Sequence, residues 1–264
     1  MTKALALIVA LFSLMLATPA SARDASIMLA HGIPDTDVDI VVDGGVVIAD
    51  FNFGEMEDLS AFSDQTLPAL TVNLAGTETV ALDLGDFAVP ASGNYTVIAH
   101  LDADGAPTVS VFENDVSAIA AGEGRLTVRH TAAAPAVDVW ANGSPAFQNV
   151  SNGEGGSADL AAGTISAEVV PAGVTEPVVI GPADLPITEG ASLIVFAVGS
   201  LEAGNLEVLT QSISGLGESP SAVNTGNSPV DNGMDANVAY GIVLATAILG
   251  LAFIGTRRGA AVEA

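Results

Sequence analysis

The 264-residue sequence predicts an all-β fold, with two tandem immunoglobulin-like β-sandwich domains set between an N-terminal signal peptide and one C-terminal transmembrane helix. Three observations carry that expectation. Short stretches rich in Val, Ile, Leu and Thr are broken by Gly, Pro, Asn and Asp, the pattern of many short strands. The stretch from Leu29 to Glu55 aligns without a gap on the stretch from Val128 to Glu154. Long apolar runs of helical character occur only at the two ends.

At the N-terminus, Lys3 is followed by the apolar run Ala4 to Leu16, then Pro19 and the small-residue triplet Ala20-Ser21-Ala22. A charged start, an apolar middle and a small-residue cleavage site assign 1–22 to a signal peptide. The run is shorter than the roughly 20 residues that span a bilayer. Near the other end, Val238 to Ile254 carries no charge and is followed by Arg257 and Arg258. This predicts a membrane helix over 237–255, with the arginine pair on the cytoplasmic side in a tail over 256–264. Residues 215–236, rich in Gly, Ser, Asn and Pro, read as a flexible stalk. The expected location is the cell membrane, crossed once, with the N-terminal domains extracellular.

The repeat organises everything between. His31 and His130, Val38 and Val137, Asp39 and Asp138, Gly44 and Gly143, and Gly54-Glu55 and Gly153-Glu154 all stand 99 positions apart. Further on, Ala75-Gly76 and Ala172-Gly173, and Gly93 and Gly190, stand 97 apart, so one two-residue deletion separates the halves. A repeat of this length is domain-sized, which places one sandwich over 23–120 and a second over 121–214. The expected strands of the first are 26–31, 38–42, 70–74, 79–84, 95–101 and 108–112. Those of the second are 125–130, 136–141, 164–170, 178–180, 192–198 and 206–211.

Charge and composition exclude several roles. Six basic residues oppose 31 acidic ones, a formal net charge of −25, and the segment 23–236 keeps only Arg23, Arg125 and Arg129. Such a chain repels phosphate backbones, so nucleic acid is not an expected partner. The absence of cysteine excludes disulfides, thiol chemistry and cysteine-ligated metal. No glycine-rich phosphate loop, nucleophile elbow or zinc-binding HExxH motif occurs, and the chain is not expected to be an enzyme.

Among candidate site residues, His31 with Asp39 and His130 with Asp138 recur at one spacing. The pair suits acid/base chemistry or a metal, but a structural role is the stronger reading: the carboxylate orients the imidazole and ties the first hairpin shut. Asp35, Asp37 and Asp39 alternate, so an extended strand would put three carboxylates on one face and could hold Ca²⁺, the one cofactor considered. The second repeat has Ala134 and Ala136 at the first two of these places, so such a site would belong to the first domain alone. Asp102-Ala103-Asp104-Gly105 reads as a hairpin turn, and Trp140 as packing in a strand. Asn94, Asn142 and Asn149 each begin a glycosylation sequon in form.

The series His31, Asp39, Asp43-Gly44, Gly54-Glu55, and again His130, Val137-Asp138, Asn142-Gly143, Gly153-Glu154, resembles the opening signature of domain of unknown function family 4397. The resemblance covers each repeat nearly end to end. It is fuller in the second, through Arg129-His130 and Ala134-Pro135-Ala136, whereas the first has Gly32-Ile33 where a small polar pair is usual. It implies a secreted or cell-surface β-sandwich module, often in tandem, with no established activity.

Together these readings describe a non-enzymatic cell-surface module that displays two sandwiches for adhesion or envelope interaction. The membrane is bound through the C-terminal helix, and the outward partner is an extracellular protein or polysaccharide. The alternative is an extracellular ligand- or calcium-binding module using the acidic loop of the first domain. An acidic surface without lysine adds self-repulsion that salt screens. The thermal midpoint should therefore rise with salt concentration; a midpoint that stays flat or falls would remove the inference of a saline setting.

Overall fold

A computed structural model describes residues 25–217, whose regular structure is β apart from one 3-10 turn at Ser60–Phe62. The expected signal peptide, the stalk beyond residue 217, the membrane helix and the tail lie outside the described residues. The first half contributes β1 (Ala25–His31), β2 (Val38–Val42), β3 (Gly45–Phe51), β4 (Met56–Asp58), β5 (Thr66–Leu74), β6 (Val80–Ala88), β7 (Gly93–Leu101) and β8 (Pro107–Glu113). The second contributes β9 (Glu123–His130), β10 (Val137–Ala141), β11 (Ser144–Val150), β12 (Gly155–Ala161), β13 (Gly163–Pro171), β14 (Ile180–Ile187), β15 (Ser192–Val198) and β16 (Glu207–Ile213).

Four four-stranded sheets result, two from each half. The first half forms β3-β2-β5-β6 and β4-β1-β7-β8, and the second forms β11-β10-β13-β14 and β12-β9-β15-β16 in the same order. In each half the first and seventh strands pair in parallel, β1 with β7 and β9 with β15, while the other pairings are antiparallel. Each half thus has eight strands, where the sequence suggested six or seven. The strands it missed, β3, β4, β11 and β12, are all sheet edges. GGSADLA in β12 and SPAFQNV in β11 carry little β propensity, and pairing with a neighbour makes them strands. The expected strand 178–180 meets β14 only at Ile180, where that strand begins before running on to Ile187.

Side-chain alternation decides what each sheet faces. From β1, Ile27 and Leu29 point into a core shared with Val38, Ile40, Phe51, Leu70, Val72 and Val97, which joins the two sheets of the first half. Leu126, Val128, Val139, Ile165 and Ile187 do the same in the second. A third core lies between the halves, where Ala30, Ile98 and Phe112 meet Ile194, Phe196, Val198 and Ile213. The sheets carrying β1 and β9 therefore pack on each other. The molecule is a stack of four layers: outer sheet, two inner sheets, outer sheet.

Polar contacts set the alignment of the inner sheets. The Thr96 hydroxyl donates to Gln211 Oε1 at 2.7 Å, and Asn114 Nδ2 donates to Thr96 Oγ1 at 2.9 Å. Asn152 Nδ2 donates to the carbonyls of Leu101 (2.9 Å) and Ala132 (2.7 Å). The Arg129 guanidinium lies 4.7 Å from the centre of the Phe112 ring and donates to the Glu113 carbonyl. These contacts bring the His31 end of one half beside the His130 end of the other. Ala25, the linker 114–122 and Gly217 gather at the opposite end.

The linker is part of the fold. Ile119 is fully buried, and its N–H donates to the Leu216 carbonyl while the Leu216 N–H donates to Gly190. Ordered chain thus extends past residue 215, where the sequence suggested the stalk begins. Arg125, only 5% exposed, forms a two-pronged pair with Asp159 at 2.7 and 3.0 Å and reaches Asp115 of the linker at 3.0 Å. A buried arginine left without these partners would be costly, so the pairing holds linker and sheet in one geometry.

Phe196 is fully buried in the layer between the halves. Phe196→Ala should cost about 3–5 kcal/mol in denaturant unfolding. It should also split the calorimetric transition in two as the halves uncouple. A loss below about 1 kcal/mol with one transition retained would contradict this packing.

Candidate functional site

The repeated residues converge at one end of the stack, and each does the same thing in both halves. His31 ends β1 with its ring fully buried and stacked on Phe51, centroids 5.6 Å apart. Its Nε2 lies 2.6 Å from the Thr36 carbonyl, and the Ile33 N–H points at Nδ1 from 3.4 Å. A carbonyl can only accept, so Nε2 carries the proton and the ring is neutral. His130 is held alike: Nε2 is 3.0 Å from the Pro135 carbonyl and the Ala132 N–H is 3.4 Å from Nδ1. Each histidine pins the loop between the first two strands of its half.

The aspartates pin different segments. Asp39, 7% exposed, accepts the Asp50 N–H on Oδ1 and the Gly76 N–H on Oδ2, both at 2.9 Å. Asp138 accepts the Asn149 N–H at 2.7 Å and the Gly173 N–H at 2.9 Å. Asp50 and Asn149 stand at positive φ where the pairing of β2 with β3, and of β10 with β11, is irregular. Each carboxylate therefore joins the second strand, the bulge of the third and the turn after the fifth. This corrects the expected His–Asp couple: the histidine and the aspartate serve as separate fasteners, each on backbone groups.

The other repeated residues are turns. Asp43-Gly44 and Asn142-Gly143 have positive φ at both positions, the requirement of the tight two-residue hairpin. Gly54 and Gly153 also have positive φ, and their N–H groups donate to the His31 and His130 carbonyls. Glu55 and Glu154 turn their carboxylates back on the N–H groups of Asn52 (2.7 Å) and Ser151 (3.0 Å). That turn seats the fourth strand of each half against the first, β4 on β1 and β12 on β9.

The expected acidic face does not form. Asp35 lies in a turn with φ 55° and β2 begins only at Val38, so the segment is not extended. Asp35 and Asp37 are exposed, whereas both oxygens of buried Asp39 are taken by backbone N–H groups. Among the described residues no three His, Cys, Asp or Glu side chains are grouped to hold a metal. Asp102 closes the β7–β8 hairpin, its Oδ1 accepting the N–H of Asp104 and Ala106, as a turn should. Trp140 is half-buried, and its indole Nε1 is buried without a hydrogen-bond partner. Asn142 and Asn149 are exposed, while Asn94 is buried and accepts from Asn114 Nδ2.

Sequence reasoning missed the polar layer between the halves. His100 is almost fully buried there, with Nδ1 donating to the Leu101 carbonyl and Nε2 accepting from the Ser110 hydroxyl, both at 2.8 Å. One signal was available: TVIAHL in β7 and SLIVFAV in β15 are nearly continuous apolar runs, as expected of strands buried on both faces.

Burial disfavours the imidazolium of His31, His100 and His130, and holds the pKa of each below its ordinary value despite the carbonyl groups that oppose it. Below about pH 6.5 the unfolded chain therefore binds protons that the folded chain does not. Stability should be level above that pH and fall as pH drops toward the folded values. Chemical denaturation between pH 5 and 8 checks the sign; stability that rises on acidification across this window would contradict it. At lower pH the carboxyl of Asp138 acts in the same direction. The N–H groups of Asn149 and Gly173 depress its pKa, so its contribution, present above the ordinary carboxylate range, is lost as pH falls through the depressed value. Asp138→Asn should lower the melting temperature at neutral pH and flatten the acid limb of the profile; an unchanged limb would show that the carboxylate does not stabilise the fold.

Comparison with curated proteins finds no match. Comparison with family descriptions finds one, over residues 25–140, which runs through the first half and into β10. The matched segment includes His31, Asp39, Gly54 and Glu55, and the description it matches is Domain of unknown function (DUF4397), the family that the repeated signature resembles.

Proposed function

We propose that the chain is a non-enzymatic cell-surface module holding two immunoglobulin-like sandwiches away from a membrane, for adhesion or contact with envelope polymers. In this reading residues 1–22 are a signal peptide, 237–255 a membrane helix, and the second half a further copy of the DUF4397 unit. The supporting observation is the direction of the strands. Ala25 pairs with Gly93, Tyr95 with Glu113, and Ser192 with both Arg125 and Ile213. The chain thus enters at Ala25, crosses between halves and leaves at Gly217 from one end of the stack. The loops 32–37, 102–106, 131–136 and 199–206 crowd the other.

A body tethered at its exit end presents those far loops first. They carry Asp35, Asp37, Asp104 and Glu202 on exposed positions. The only basic side chains between residues 25 and 217, Arg125 and Arg129, are engaged within the stack. The far end therefore suits an uncharged or cationic extracellular protein or polysaccharide and repels polyanions. The shared core between the halves favours display, because two sandwiches locked together present one fixed surface.

Cells bearing the full chain should aggregate, or bind their own envelope polymer, more strongly than cells lacking it. The triple substitution Asp35→Asn, Asp37→Asn, Asp104→Asn should change that binding while leaving the melting temperature within about 1–2 °C. Equal adhesion with and without the protein would sink the reading.

A further inference from the structure

The outer and inner sheets of the second half border a cavity of about 60 Å³, where the inward positions are filled differently from those of the first half. Strand registers explain the difference. Ile40 pairs with Val72 and Val139 with Val169, so Val42 and Leu70 of the first half correspond to Ala141 and Ala167 of the second. Phe51 opposite Val38 corresponds to Val150 opposite Val137. Likewise Leu29 corresponds to Val128 and Tyr95 to Leu193, through the parallel pairs of β1 with β7 and β9 with β15. Every one of these inward positions is smaller in the second half. Phe147, standing opposite Val139 where Ile48 stands opposite Ile40, is larger, and it fills space beside Gly156. The backbone frame is the same and the filling is less.

We propose that this cavity is a binding site for a small, uncharged, apolar molecule. Its walls include Val128, Val139, Ala141, Ala167, Leu185 and Val195, which offer no hydrogen bond to water. An apolar void stays dry and takes apolar guests; one of about 150 Å³ accepts benzene. At less than half that volume, this one suits a guest smaller than benzene, such as a short alkyl group. Arg129, His130 and Trp140 also border it; the guanidinium of Arg129 is held over Phe112 and donates to the Glu113 carbonyl, the His130 ring donates to the Pro135 carbonyl, and Arg129 Nε and Trp140 Nε1 are buried donors without a partner. The chain offers a way in. Half-buried Ile180, Ala183 and Val208 line the cavity from β14 and β16, which are free edges of different sheets.

The test is methyl NMR of the full chain under rising xenon pressure and, separately, with dissolved propane. Saturable shifts are expected at the methyls of Val128, Val139 and Val195, and not at their first-half counterparts Leu29, Ile40 and Val97, which serve as an internal control. Ala167→Leu restores the first-half residue, and should abolish the shifts and raise the melting temperature by about 2–4 °C. Ala141→Val does the same with a smaller change should the leucine not fit. Absence of shifts in the wild type, equal shifts in both halves, or shifts that persist in both filled variants would overturn the proposal. Binding of xenon without propane would limit the site to monatomic guests and overturn the alkyl assignment.

Discussion

The packing of one inner sheet on the other is the contact on which the rest of the molecule depends. In a lone sandwich the outer face of β1, β7 and β8 would meet water and be polar. Here that face carries Ile98 and Phe112, and its counterpart carries Ile194, Phe196 and Ile213. Burying a phenylalanine such as Phe196 contributes about 1.5–3 kcal/mol, and neither half could expose these residues without penalty. The linker, Arg125 and the segment around Leu216 then close one side of the contact, while Asn152 closes the other. Because the two halves share this layer, their ends are held in line and the chain enters and leaves at the same end.

The two halves use the contact unequally. The parallel strand registers make Thr96 the counterpart of Ile194 and Ile98 that of Phe196, and the antiparallel ones make Phe112 the counterpart of Gln211. The hydrogen bond from Thr96 to Gln211 therefore lies across the layer from the matching apolar positions, Ile194 and Phe112. A polar pair inside an apolar layer is tolerated when its hydrogen bonds are made, and it sets register as apolar contacts alone do not. The two arginines follow the same logic. Their counterparts in the first half are Ser26 and Ala30, so the charge lies on one side of the layer alone. Among the described residues, the acidic side chains other than Asp115 and Asp159 have no ion pair with either arginine.

Much of the candidate site was legible because it repeats. His31 and His130, Asp39 and Asp138, and the Gly-Glu turns stood out from one sequence. Their partners did not, and the reason is physical. Both histidines bond to backbone carbonyls, of Thr36 and Pro135, and both aspartates to backbone N–H groups, of Asp50 and Asn149. Any residue supplies a backbone group, so these positions vary between the halves while the bond is kept. The repeated carboxylate, eight residues on in each half, was the wrong partner for the histidine.

The sequence by itself determined the β class, the duplicated frame, the central strands such as β2 and β15, the hairpin turns and the acidity. All of these follow from local propensity, period and composition. The tertiary structure alone decided the edge strands β11 and β12, which form because a neighbour offers hydrogen bonds, and the absence of an acidic face at Asp35 to Asp39, where a turn interrupts the alternation. It also decided that the outward faces of β7 and β15 are inward faces of the whole. A strand carries its two faces in its own residues, but what covers each face is supplied by chain a hundred residues away.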